Sequence, residues 1–228
     1  AIKDMGFVAT KMKVGLGPRA DIKLAEAVRR SIGDDFRFMV DANHCYTTSD
    51  AFTVGRALED LGAYWFEEPI APEDLQGYRE LRAGLNVNIS GGEAEFNRWG
   101  WRGLLESRGL DIAQPEVCAL GGISEYLRVL ALCHAHFTPV VNHVWGSAIA
   151  VATNMHLLAS MPDLPGGMNP WEPMLEFDTT DNKFRDELLE TPLEIQAQVA
   201  QTNGYIALPE GPGLGITPDR DFLQYFAL

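Results

Sequence analysis

The chain has 228 residues, enough for one large domain with a substantial core or for two small ones. Its residues are 46% hydrophobic and 22% charged, an ordinary balance for a folded globular chain, and a formal net charge of −14 argues against nucleic acid or an anionic membrane as a partner. No apolar run has the roughly eighteen residues of a membrane-spanning helix, and no secretory pattern opens the chain. Cys45, Cys118 and Cys133 match no zinc spacing. So sparse and odd a count fits a reducing cytoplasm, with Cys118 and Cys133 read as packing residues.

In chain order, short β-rich runs alternate with amphipathic stretches at helical spacing. Phe7–Val14 reads as a strand and Arg19–Ile32 as a helix. Phe36–Asp41 is the next strand, followed by a helix over Asp50–Leu61 with Thr48 or Ser49 as its N-cap. Tyr64–Glu67, Val87–Ser90, Asp111–Gln114 and Pro139–Asn142 read as strands. Helices are expected over Glu73–Ala83, Arg98–Ser107, Ser124–His136 and Ala148–Ser160. Met168–Trp171 offers one more short strand, Gly204–Leu208 another, and Pro209–Gly215 a turn-rich loop. This alternation predicts a parallel sheet with helices outside, either open and doubly wound or closed as a (β/α)8 TIM-type barrel. Gly15-Leu16-Gly17 lacks the third glycine of a dinucleotide fingerprint and precedes Pro18, so it reads as a turn.

Polar residues end the apolar runs: Lys13, Asp41, Glu67, Glu93, Glu116 and His143. In a barrel, the C-terminal ends of the strands carry the catalytic groups. Asp41, Glu67 and Glu93 are evenly spaced, close to one βα repeat apart, so three carboxylates arrive at one rim. Carboxylates so gathered repel one another unless a cation joins them, and oxygen-only ligands favour a hard ion such as magnesium. Lys11 and Lys13 lie two apart on one strand and therefore on one face. Two such ammonium groups lower each other's pKa, and a partly neutral lysine can act as a general base. Glu116 is placed to orient His143, and His44 to reach the pocket from the loop after Asp41. His134, His136 and His156 fall in helical stretches and read as structural.

Lys11-Met12-Lys13, Val40-Asp41-Ala42-Asn43, Trp65-Phe66-Glu67-Glu68-Pro69, Gly91-Gly92-Glu93, Gln114-Pro115-Glu116, Gly121-Gly122, Asn142-His143-Val144-Trp145-Gly146 and Trp171-Glu172-Pro173, taken in order, resemble the enolase superfamily and its mandelate racemase and muconate lactonizing enzyme group. Within the mandelate racemase subgroup, Glu176-Phe177-Asp178, Asn182, Phe184-Arg185 and Pro209–Gly215 look like sugar-acid enzymes of the galactarate or 3,6-anhydrogalactonate cycloisomerase type.

The resemblance implies that Asp41, Glu67 and Glu93 bind Mg2+, with Glu68 as the motif's second acid. It implies that Lys13 is the base and Lys11 the neighbour that lowers its pKa. His143, oriented by Glu116, is the acid–base group of the opposite face, Glu172 hydrogen-bonds the substrate carboxylate, and Asn43 lies beside the metal. Glu116 stands where the family usually has Asp. The implied chemistry is removal of the proton α to a carboxylate through an enediolate, then isomerisation, cycloisomerisation or dehydration of a sugar acid. Racemisation of a hydroxy acid, a truncated non-catalytic barrel and an unrelated metal-dependent aldolase are the other readings. The resemblance also implies a barrel over residues 1–173 whose first strand and capping domain are missing. Residues 174–228 would pack on the barrel and at the position of the cap, and the open seam implies either a homo-oligomer that covers it or a piece of a longer protein.

Overall fold

A computed structural model describes residues 2–162 and 173–227. After a 3-10 turn over Ile2–Met5, five strands follow: β1 (Ala9–Lys13), β2 (Arg37–Asp41), β3 (Trp65–Glu67), β4 (Asn88–Gly91) and β5 (Ile112–Ala113). All four pairings are parallel and the spatial order is the chain order, β1-β2-β3-β4-β5. The first four crossovers carry α1 (Pro18–Ile32), α2 (Thr48–Asp60), α3 (Leu75–Gly84) and α4 (Asn97–Ser107). Sequential parallel strands joined through helices on one side are a section of a (β/α) barrel rather than a doubly wound sheet. The expected strand at Pro139–Asn142 contributes one parallel bridge, Val140 to Ala113, after α5 (Val117–Leu120) and α6 (Ile123–Ala135). Strand β5 is short because Pro115, just past it, has no N–H to continue the ladder.

Alternation sorts the strands' side chains. Phe38, Val40, Phe66, Ile89, Ala113 and Val140 face the helices in the main core, with Leu58, Leu81, Trp101 and Tyr126. Met39, Trp65, Ile112 and Val141 form a separate inner cluster. Asp41 and Glu67 lie two residues beyond Met39 and Trp65, hence on that same inner face one layer further along. Strand β1 is less buried than its neighbours, and its inner positions are Ala9, Lys11 and Lys13.

Local signals explain the joints. Asp21, 1% exposed, accepts from the N–H groups of Gly15 and Gly17 at 3.2 and 2.9 Å and from the Tyr46 hydroxyl at 2.7 Å, fixing the loop between Lys13 and α1. Helix α2 starts at Thr48, two residues before the expected Asp50, and its cap is Thr47, not Thr48 or Ser49: Thr47 Oγ1 accepts from Asp50 N at 3.2 Å. Arg29 ties the end of α1 to Leu61, Gly62 and Phe36 carbonyls.

Beyond α7 (Ala148–Ala159) the chain changes character. Met168–Trp171 and Glu172 lie outside the described residues. Helices α8 (Lys183–Asp186), α9 (Ile195–Thr202) and α10 (Arg220–Phe226) follow, none of them read from the sequence. Gly204–Leu208 is not a strand: Ala207 N donates to the Gln198 side chain at 2.8 Å instead of to a ladder. Ile195 and Val199 of α9 pack with Val144, Val151, Met155 and Phe7. Cys133 is buried, whereas Cys118 is exposed rather than packed. No helix among the described residues is long and apolar enough to cross a membrane.

Candidate active site

Register brings the first acidic groups together. Lys13 pairs with Asp41, and Asp41 with Glu67, across β1, β2 and β3. Glu93 arrives differently, two residues beyond β4. Gly92 turns the chain at φ +120°, and a Cβ there would lie 2.4 Å from the Trp101 ring. Only glycine permits both the turn and the approach. Ligand atoms of Asp41, Glu67 and Glu93 all lie within 4.8 Å of one another. Glu93 Oε2 is buried and forms no hydrogen bond among the described residues, facing the His143 imidazole only as an ion-pair contact. Three hard oxygen donors at this separation, one of them without a hydrogen bond, fit a divalent cation of the magnesium type.

The lysines lie beside this cluster. Lys13 Nζ donates to Asp41 Oδ2 at 2.5 Å and to Asn43 Oδ1 at 2.7 Å. Lys11 Nζ contacts Glu67 Oε1 at 2.5 Å, Asp41 Oδ2 at 3.2 Å and Glu176 Oε1 at 2.5 Å. The expected lowering of the Lys11 pKa is reversed. Burial pulls it down, but the Glu67, Glu176 and Asp41 charges outweigh burial and hold it well above the usual lysine range. Burial pushes the Glu67 carboxyl up, beyond what Lys11 offsets, while Lys11 and Lys13 keep Asp41 low against its own burial.

On the other flank, His143 Nδ1 faces Glu116 Oε2 at 2.8 Å, and its Nε2 lies 3.1 Å from Glu93 Oε2. The longer Glu116 side chain reaches the imidazole because its other oxygen caps α5, accepting from Cys118 N at 2.9 Å. Burial pulls the His143 pKa down, yet Glu116, Glu176 and Glu93 outweigh it and raise it to about 9.

Two further features surround the cluster. Glu68 is fully buried, and its pKa is pushed up to about 8 by burial and by the Glu93 and Asp41 charges. His44 Nε2 sits against Glu68 Oε2. Asn43, His44 and Glu68 all have positive φ, at 38°, 66° and 39°, a conformation that for non-glycine residues concentrates at functional sites. Lys11, Lys13, Asp41, Asn43, Glu67, Glu93, Glu116 and His143 thus form one connected cluster, with His44 joined to it through Glu68. Glu172 cannot be placed in it, because it lies outside the described residues. The carboxyl that does enter from the C-terminal segment is Glu176, which pairs with Lys11 and accepts from Val144 N at 2.9 Å. Sequence reasoning assigned Glu176 no role. Its only signal was membership of the Glu176-Phe177-Asp178 motif.

The profile of the family described as enolase C-terminal domain-like matches residues 1–222. The chain is 41% identical over 223 residues to D-galactarolactone cycloisomerase of Agrobacterium fabrum, covering 98% of this chain and 57% of that one. It superposes with a TM-score of 0.88 on the 3,6-anhydro-D-galactonate cycloisomerase from Zobellia galactanivorans, at 39% identity, over 99% of this chain and 60% of that one. The L-talarate dehydratase from Polaromonas sp. JS666, complexed with Mg and L-glucarate, gives a TM-score of 0.82 at 25% identity, over 98% and 57% of the two chains. The chain therefore spans somewhat more than half the length of the relatives it matches.

Proposed function

The chain belongs to the enolase C-terminal domain-like family, and from that membership we propose that it is the barrel of a magnesium-dependent isomerase or lyase. The enzyme removes the proton α to the carboxylate of a sugar acid, and the resulting enediolate goes on to isomerisation, cycloisomerisation or dehydration. The observation that carries this reading is the Asp41, Glu67 and Glu93 cluster, flanked by Lys13 on one side and His143 on the other. Magnesium held by those three carboxylates would supply Lewis-acid stabilisation of the negative charge that develops on the substrate carboxylate.

The chain's own groups do the rest. Lys13 Nζ, as the neutral amine, takes the α-proton and becomes the ammonium. Asn43, within hydrogen-bond reach of Lys13, keeps it directed, and Lys11 offsets the charge of Asp41, Glu67 and Glu176. His143 Nε2 works from the opposite flank, returning a proton or assisting departure of a β-substituent, while Glu116 holds its Nδ1. Glu172, as the protonated acid, hydrogen-bonds the substrate carboxylate, and Glu176 holds the Lys11 ammonium beside the site. His44 contacts a substrate hydroxyl. Racemisation is the second reading, because a base and an acid on opposite flanks can also exchange a proton between faces.

Residues 1–173 and 174–228 would act as barrel and closing segment. The chain would work in a reducing cytoplasm, where its free thiols persist, and would assemble as a homo-oligomer, for which exposed Phe96 and Trp99 provide apolar area. The test is magnesium-dependent exchange of the α-proton of candidate sugar acids in deuterated water, followed by NMR. Lys13→Ala is expected to slow exchange by about 10²–10⁴-fold while leaving metal binding intact. Exchange unaffected by Lys13→Ala contradicts the assignment of the base. Deuterium gain with an unchanged skeleton selects the racemase reading.

A further inference from the structure

Glu67 is gripped by two groups that the proposed chemistry does not use. Trp65 Nε1 donates to Glu67 Oε2 at 2.9 Å, and Gln114 Nε2 donates to the same oxygen at 2.8 Å. Glu67 Oε1 is left facing Lys11, the ammonium that also touches Asp41. The two donors reach Oε2 from different parts of the sheet. Trp65 lies two residues before Glu67 on β3 and so shares its face. Gln114 lies just past β5, two strands away.

All three residues are buried, at 4%, 1% and 2% exposure for Trp65, Glu67 and Gln114. A carboxylate so buried needs donors, and an indole N–H can only donate. The Trp65 ring is packed with Met39, Ile112 and Val141, so its N–H has little freedom to turn away. Gln114 is the more telling partner. Its amide directs the NH2 group at Glu67 and leaves its own buried Oε1 without a hydrogen-bond partner among the described residues. A side chain serving stability alone would satisfy both ends, since an unmet buried acceptor is destabilising. That uncompensated end points to a task beyond packing.

We propose that Trp65 and Gln114 are positioning residues for metal binding, which hold Glu67 by Oε2 so that Oε1 is the oxygen it presents to the cation. The inference deepens the magnesium reading and rests on it. Neither residue touches the ion. Each acts through Glu67, by keeping one carboxylate rotamer populated before metal arrives, as outer partners of metal ligands do.

Trp65→Phe removes the N–H and keeps an aromatic ring. Gln114→Met keeps the chain length and removes both polar ends. Metal affinity would be measured by calorimetry with Mn2+ and Mg2+, alongside thermal melts of the same samples without metal. Each variant is expected to bind metal about 10–100-fold more weakly, with a metal-free melting temperature close to that of the parent chain. A spectroscopic readout is independent of both measurements: Mg2+ should change indole fluorescence in the parent chain, and Trp65→Phe should remove most of that change. If the parent binds metal and both variants bind it equally well, the positioning role is overturned while the metal site stands. If affinity and metal-free stability fall together in both variants, the role is structural and the proposal is likewise overturned. If the folded parent binds no metal, the magnesium reading fails and takes this inference with it.

Discussion

The two flanks of the site are built in different ways. Asp41 and Glu67 sit inside ladder strands, with hydrogen-bonded neighbours on both sides and side chains 0% and 1% exposed. Glu93, Glu116 and His143 lie beyond strand ends, where a glycine turn, a helix cap and side-chain hydrogen bonds hold them. A ladder fixes position through the backbone, whereas a loop must fix it through individual contacts. The first flank therefore holds Asp41 and Glu67 rigidly beside Lys13, and the second holds Glu93 and His143 by contacts that a single substitution can loosen. Substitutions on the first should abolish a property, and substitutions on the second should tune one.

The largest expected effect is on the ladder flank. Asp41→Asn should reduce magnesium affinity by more than the ~10–100-fold typical of an outer partner, because it removes a ligand charge directly. Calorimetry reads this, and affinity retained within tenfold of the parent would break the comparison. Gly92→Ala comes next. It forces a side chain into φ +120° and against Trp101, at 2.4 Å. We expect about 1–3 kcal/mol of destabilisation in denaturant melts, with weaker metal binding as Glu93 moves. The smallest effect should be Glu116→Gln, which leaves the fold intact and lowers the His143 pKa from about 9 toward its ordinary value, as read by NMR titration of the metal-free protein. The sign carries over to stability. A histidine whose folded pKa is raised stabilises fully below its ordinary value near 6.5, and that contribution is lost as pH rises through about 9. The parent should therefore lose stability between those limits, and Glu116→Gln should lose less of it.

The same contrast decides what was legible in the sequence. Asp41 and Glu67 stand out because each ends an apolar run, and alternation then dictates which face it shares. The βα spacing that puts Glu93 at the same rim is equally visible, although its dependence on Gly92 and Trp101 is not. Lys11 and Lys13 are legible as a same-face pair, but the sign of the Lys11 shift is not, because it depends on carboxylates brought in from β2, β3 and the C-terminal segment. Glu176 is hidden for a related reason. Its route into the site runs through irregular chain without periodicity, and only the fold sets it against Lys11. Residues 204–208 mislead because Tyr205 and Ile206 have strand-like chemistry, but no strand among the described residues pairs with them. Helix α9 escapes notice because it buries only Ile195 and Val199.

Whether the three carboxylates bind magnesium beside Lys13 is decided by calorimetric titration of magnesium into the folded chain, paired with the same titration of Asp41→Asn. Binding should be saturable and to a single site in the parent, and lost in the variant. A folded parent that takes up no magnesium at millimolar concentration, or a variant that binds as the parent does, would contradict the magnesium site.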